Sequence, residues 1–141
     1  MKAINKFPML LLRSPLHGVL SKNVLLLTVR GRKSGRLYTT PVNYIRHADE
    51  ILITTDSGWW KNLRGGAQVK LRIEGKEVQG AAEAVTEEGA VGETLVAMLK
   101  RFPGYGKRVG VTLTSEGHAD SQQIEQAIRN GRVLVRVRFE Q

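Results

Sequence analysis

Val29-Arg-Gly-Arg-Lys-Ser-Gly-Arg-Leu-Tyr-Thr-Thr-Pro41 places four cations, Arg30, Arg32, Lys33 and Arg36, within seven residues. Glycines stand at 31 and 35, and a hydroxyl-bearing run follows. Before it, Val24–Arg30 is aliphatic and β-branched, as a buried strand requires. After it, Leu37–Arg46 carries Thr39, Thr40, Val42, Tyr44 and Ile45, residues that suit a pleated surface. Two strands joined by so short a turn must be antiparallel, because a parallel pair needs a crossover of a dozen residues or more.

The same pattern continues along the chain. His47–Glu50 reads as a hairpin turn and Ile51–Thr55 as a third strand. Asp56-Ser57-Gly58 breaks that strand, and Trp59–Arg64 fits one or two helical turns capped by Asp56 or Ser57 and ended by Gly65-Gly66. Gln68–Glu74 and Lys76–Val85 alternate around Gly75 as a further hairpin. A helix is expected from Thr86-Glu87-Glu88 to about Arg101, with Leu95, Met98 and Leu99 inward. Phe102–Lys107 reads as a Gly/Pro loop, and Gly104–Gly110 as flexible. Ala119–Asn130 reads as a helix closed by Gly131, and Arg132–Phe139 as a last strand. Residues 2–12 suit a short amphipathic helix and Ser14-Pro15 a second helix start, so 1–22 is expected to be an N-terminal helical segment. The sum is a mainly β chain with helices (α+β), of about six largely antiparallel strands. A small, partly open barrel within one domain spanning 1–141 is the expected architecture.

Composition narrows the chemistry. With no cysteine among 141 residues, disulfides, thiolate metal sites and cysteine nucleophiles are excluded. His17, His47 and His118 are scattered, without a partner at ligand spacing, so no metal is expected. The apolar runs Met9–Leu12 and Val24–Leu27 fall far short of the roughly 20 residues of a membrane span. Arg13 and Pro15 interrupt the apolar N-terminal block and no small-residue cleavage site follows, so no secretory signal is expected.

The charge of +9 is one-sided: residues 1–48 hold nine Lys and Arg and no Asp or Glu, while the remainder is balanced. Such a field draws anions, whether nucleic acid, an acidic membrane or a phosphorylated or polycarboxylate small molecule. Nucleic acid is not expected, because none of the eight aromatic residues lies in the basic turn to stack a base. The basic, apolar N-terminus leaves contact with anionic lipid open, for a chain otherwise expected in the cytoplasm.

Gly31-Arg-Lys-Ser-Gly35 is not a Walker A loop, since no Gly-Lys-Ser/Thr closes it before a helix. Glycines that expose backbone N–H groups, one hydroxyl and two cations nevertheless suit an anion cradle, with a solvated basic hairpin tip as the alternative. In Trp59-Trp60-Lys61-Asn62-Leu63 the adjacent indoles point about 100° apart on a helix, so one can anchor the core while the other borders a cleft.

Together, Gly31–Pro41, the strand Ile51–Thr55 and Trp60-Lys61-Asn62-Leu63 resemble the deazaflavin (coenzyme F-420)-dependent nitroreductase/quinone reductase family, and the likeness extends through Val69 and the Lys70–Ala82 hairpin. The resemblance implies a split β-barrel related to FMN-binding reductases. It also implies coenzyme F-420, whose phosphate and oligoglutamate tail would account for the basic N-terminal third. By resemblance, Arg32, Lys33, Ser34 and Gly35 would meet the phosphate and tail. Tyr38, where the family often has arginine, begins the run in which Thr39, Thr40, Pro41 and Val42 would flank the ring system. Thr54, Thr55 and Ser57 would bond the ring's edge, and Trp60 and Asn62 would close the pocket. The implied activity is hydride transfer from the reduced coenzyme to a quinone-like, nitro or enone acceptor, with Ser57 and Tyr105 as candidate proton donors. FMN in place of F-420, and a non-catalytic cofactor or lipid carrier, are the alternatives. Since split barrels often pair, a homodimer is a further expectation.

Overall fold

In a computed structural model, residues 24–102 and 104–140 are described. The expected N-terminal helical segment and His17 lie outside the described residues.

Among the described residues seven strands form one sheet: β1 (Val24–Arg30), β2 (Leu37–Asn43), β3 (Ile45–His47), β4 (Glu50–Thr55), β5 (Ala67–Ile73), β6 (Lys76–Val85) and β7 (Val133–Phe139). Their order is β2-β1-β5-β6-β7-β4-β3, with every pairing antiparallel. Alternation dictates the faces. Leu25, Leu27 and Val29 of β1 share one core with Val69, Leu71 and Ile73 of β5, Ile51 and Ile53 of β4, and Val135 and Val137 of β7. A single sheet whose second and sixth strands, β1 and β4, both fill one interior has curled into a split barrel. Trp59 and Leu63, from a 3-10 helix at Gly58–Leu63, plug the same interior.

The outer side of β4 and β7 is covered by α1 (Glu88–Arg101), α2 (Tyr105–Val109) and α3 (Ser121–Arg129). Val91, Leu95, Met98 and Leu99 of α1 meet Tyr105, Ala127 and Leu134 in a second core. Burying such a leucine contributes roughly 1.5–3 kcal/mol, and Leu95 is fully enclosed.

Three expectations change. The strand expected over Leu37–Arg46 is two, because the chain leaves β1 after Asn43 and re-pairs with β4 from Ile45. Buried Tyr44 marks the corner, so composition alone reads straight through it. The segment Gly104–Gly110, expected as flexible, holds the helix α2: Gly110 at φ +75° and Val111 both donate to the Gly106 carbonyl, closing one tight turn. The Trp59–Arg64 helix is of the 3-10 kind and lacks a side-chain cap at Ser57. Elsewhere starts and stops follow local chemistry. Glu87 and Asp120 cap α1 and α3, and Glu74 and Gly75, both at positive φ, turn the β5–β6 hairpin.

Candidate functional site

Two clefts meet at Trp59. The first, of about 370 Å³, lies where the barrel is split. One wall is β2, which among the described residues pairs only with β1 and so stands at the edge of the sheet. Pro41, which has no N–H to offer a neighbour, is tolerated in the middle of β2 for this reason. Because the cleft runs along an edge, consecutive residues Thr40, Pro41, Val42 and Asn43 all border it, although alternate side chains face opposite sides of the sheet. The opposite wall is the end of β4, Thr54 and Thr55, continuing into Asp56 and Ser57. Helix α2 contributes Tyr105 and Arg108 and the start of β7 brings Arg132.

Hydroxyl groups dominate this cleft, and they are held in place. Tyr105 is 6% exposed; its hydroxyl pairs with that of Thr54 and donates to the Thr54 carbonyl at 3.2 Å. The Ser57 N–H donates to Thr55 Oγ1 at 3.0 Å. Arg108 Nη1 donates to Asn43 Oδ1 at 3.1 Å, tying α2 to the edge strand β2 across the split.

The second cleft, about 700 Å³, is the cradle. The turn between β1 and β2 is closed at its base by Gly31 N–H donating to the Arg36 carbonyl at 2.7 Å and Gly35 N–H donating to the Gly31 carbonyl at 2.9 Å. Gly35 sits at φ +71°, which L side chains rarely adopt. Gly31 is needed for space instead: a Cβ there would lie 2.8 Å from the Tyr38 ring and 2.9 Å from Ser34 Oγ. The turn is then docked on the 3-10 helix. Arg32 N–H donates to Asn62 Oδ1 at 3.0 Å, Asn62 Nδ2 donates to the Trp59 carbonyl at 3.0 Å, and the Arg32 guanidinium donates to the Arg64 carbonyl. Arg32, Lys33, Lys61 and Arg64 line the cleft, with no carboxylate among the lining residues. The ion pairs among the described residues engage Lys70, Arg129, Arg132, Arg136 and Arg138, and none engages these four cations.

Of the residues singled out from sequence, Thr40, Pro41, Val42, Thr54, Thr55, Ser57 and Tyr105 border the split cleft, and Arg32, Lys33, Ser34, Tyr38 and Asn62 the cradle. Three border neither. Gly35 shapes the turn, and Thr39 turns outward, its hydroxyl 2.9 Å from that of Thr28. Trp60 packs against the barrel core under the Arg64 guanidinium, 4.9 Å from its ring. Trp59, left open by the sequence, is the indole that walls both clefts.

Sequence reasoning missed Lys61 and Arg64, which stand one 3-10 turn apart and extend the basic patch beyond residue 48. It also missed Asp56, Arg108 and Arg132. The signal for Arg132 was present: Gly131 after α3 fixes the backbone that follows it.

Comparison with known proteins agrees with this architecture. A conserved hypothetical protein from Mycobacterium tuberculosis superposes with a TM-score of 0.61 at 24% identity, over 89% of this chain and 78% of the other. The heme storage protein HutZ from Vibrio cholerae gives 0.56 at 15% identity over 89% and 87%. A structure described as an F420 reductase gives 0.54 at 14% identity over 84% and 87%. Identities this low speak for the split-barrel fold alone. No curated protein sequence matches significantly. The sequence model described as F420H(2)-dependent quinone reductase matches residues 14–115, so the chain belongs to that family.

Proposed function

We propose that this chain is a reductase that takes hydride from reduced coenzyme F-420 and delivers it to a quinone-like, nitro or enone acceptor. Family membership supports an F-420-dependent reductase in general. The observation that carries the finer reading is the pair of clefts sharing Trp59, one cationic and free of carboxylates, the other lined by hydroxyls.

The donor set fits such a ligand. A phosphate and an oligoglutamate tail need several cations and backbone donors at one end, and Arg32, Lys33, Lys61 and Arg64 with the Lys33 and Ser34 N–H groups of the turn would supply them. The absence of a Cβ at Gly31 keeps Tyr38 and Ser34 tight against the turn. FMN carries one phosphate and no tail, less charge than would match four cations that form no ion pair among the described residues.

The reduced deazaflavin supplies the hydride. The remaining tasks fall to the chain. The cradle would anchor the anionic end, while Trp59 and the edge residues Thr40–Val42 would hold the ring. Thr54, Thr55 and Ser57 offer hydrogen bonds to a polar ring edge. The Arg108–Asn43 bridge narrows the split and limits water. Tyr105 and Ser57 are the groups able to release a proton to the acceptor.

Titrating oxidised coenzyme F-420 against tryptophan fluorescence, with FMN in parallel, tests the reading. Micromolar binding of the deazaflavin together with turnover of a quinone by its reduced form is expected. Binding of FMN alone would replace the coenzyme, and tight binding without turnover of any acceptor would favour a carrier.

A further inference from the structure

We propose that Arg132, anchored by Asp56, is a positioning residue that holds the Tyr105 phenol ready to give the proton in acceptor reduction; this rests on the reductase reading above.

The guanidinium is in an unusual place. Its side chain is 11% exposed, and a cation so far from water must be paired or hydrogen-bonded. Among the described residues it has two partners: Asp56 Oδ2 lies 3.6 Å from Nη2, and the Tyr105 hydroxyl lies 3.5 Å from Nη1. Asp56 is 56% exposed and is solvated without help, so the contact serves the guanidinium rather than the carboxylate. The backbone that carries it is fixed. Arg132 N–H donates to the Ala127 carbonyl at 3.1 Å and Gly131 N–H to the Ile128 carbonyl at 3.0 Å, with Gly131 at φ +105°. This paired closure of a helix C-terminus sets the direction of the residue after the glycine.

Every element packed on the phenol contributes to its setting. The β4 end supplies the Thr54 carbonyl, which accepts a hydrogen bond from the phenol, and Asp56 follows two residues later. Helix α2 supplies Arg108, whose guanidinium lies 5.9 Å from the Tyr105 ring centroid. The uncharged Phe102 ring is 6.4 Å away, with Arg101 on its far contact. The start of β7 supplies Arg132. Among the described residues, Arg108 therefore lies over the ring and Arg132 at the hydroxyl, so the oxygen that gives up the proton faces a guanidinium donor. Ser57 has no cationic partner among the described residues, and an alcohol is a weaker acid than a phenol.

The step balances. The acceptor gains two electrons and one hydrogen as hydride from the reduced deazaflavin, which is oxidised. An O–H bond forms on the acceptor oxygen as the Tyr105 O–H bond breaks, and the tyrosinate regains its proton from water.

The test uses the full chain, reduced coenzyme F-420 and a water-soluble naphthoquinone. Arg132→Met should lower kcat roughly 10- to 100-fold, below the roughly 100- to 10,000-fold worth of a general acid because the phenol itself remains, with KM for the quinone changed less than about threefold. Arg132→Lys should recover part of the loss. Independently of turnover, tyrosine labelled with carbon-13 at Cζ gives three resonances, for Tyr38, Tyr44 and Tyr105, with Tyr105 assigned through Tyr105→Phe. The Tyr105 resonance should move in Arg132→Met while the other two stay. Glu50→Gln, at a remote surface pair, should change neither kcat nor that resonance. If Arg132→Met fails to fold, Asp56→Asn, which frees the guanidinium, should lower kcat in the same sense. A kcat within twofold of the unsubstituted chain, or an unmoved Tyr105 resonance, overturns the inference alone. No turnover by the unsubstituted chain overturns the reductase reading and the inference with it.

Discussion

Across the outer face of β4, β7 and β6, Arg136 reaches Glu83 at 3.0 Å and Glu50 at 3.8 Å, and Arg138 reaches the same Glu50 at 2.9 Å. At the β1–β2 turn, Arg32, Lys33, Lys61 and Arg64 gather with no carboxylate among them. The first arrangement is what sheet register produces by itself: Glu50 lies opposite Arg138 and Glu83 opposite Arg136, so opposite charges pair across neighbouring strands. The second works against itself, since like charges held together repel. Cations paired with carboxylates on one face, and cations without an ion-pair partner among the described residues on the other, are the contrast expected if the second face takes the anionic ligand proposed above.

The comparison breaks most easily at Lys33, which makes no hydrogen bond or ion pair among the described residues. Lys33→Ala removes nothing that holds the fold, so the melting temperature should stay within about 1 °C. Coenzyme affinity should fall roughly 10- to 100-fold, the worth of one charge-assisted contact. The residual binding should also be less sensitive to salt. A loss of stability with affinity intact would reverse the assignment of the two regions.

Gly31→Ala probes the shape of the cradle at unchanged charge. The added methyl would meet the Tyr38 ring and Ser34 Oγ at 2.8 and 2.9 Å, so the turn must move. A cost of about 1–2 kcal/mol in denaturant unfolding is expected, as for other overpacked sites, with a smaller loss of coenzyme affinity than Lys33→Ala causes.

Much of the barrel was legible because its strands alternate or run apolar between glycines, and because the β1–β2 turn and its flanks fix antiparallel pairing. The corner at Tyr44 was not legible: a residue that is both β-prone and buried gives the same local signal inside a strand as between two. Helix α2 was hidden for a related reason. Its five residues are flanked by Gly104 and Gly110, and glycine density reads as a loop even when one glycine is present because Gly106 leaves no room for a Cβ beside the Val111 carbonyl. In the site, charge and hydroxyl runs were visible from sequence, but which indole faces the cleft depends on the pitch of the helix. A 3-10 helix turns about 120° per residue rather than about 100°, and only packing decides which side is buried.

Alkaline pH probes the barrel interior independently of both cationic regions. Burial, and after it the charge of Glu74, raises the Tyr44 phenol above its ordinary 10.0, against lowering by Arg46 and Arg101. The unfolded chain therefore loses this proton first. The contribution is fully present below about pH 10 and is lost as pH rises through the folded-state value. Urea midpoints measured from pH 9 upward should fall, and Tyr44→Phe should flatten that fall.

The smallest effect should come from the paired face, and it decides what the pairing means. Glu50 accepts from Arg138 and lies 3.8 Å from Arg136, and it is only 23% exposed at its side chain. Glu50→Gln keeps the shape and removes the charge. Surface pairs of this kind contribute little, so the melting temperature should drop by less than about 4 °C, and less still at high salt, where the lost attraction was already screened. Coenzyme affinity should not change. Were it instead to rise, Arg136 and Arg138, freed of their partner, would be adding long-range attraction for the same anion. The contrast between the two faces would then be one of degree, with Glu50 and Glu83 limiting how far the positive field extends from the cradle around the barrel.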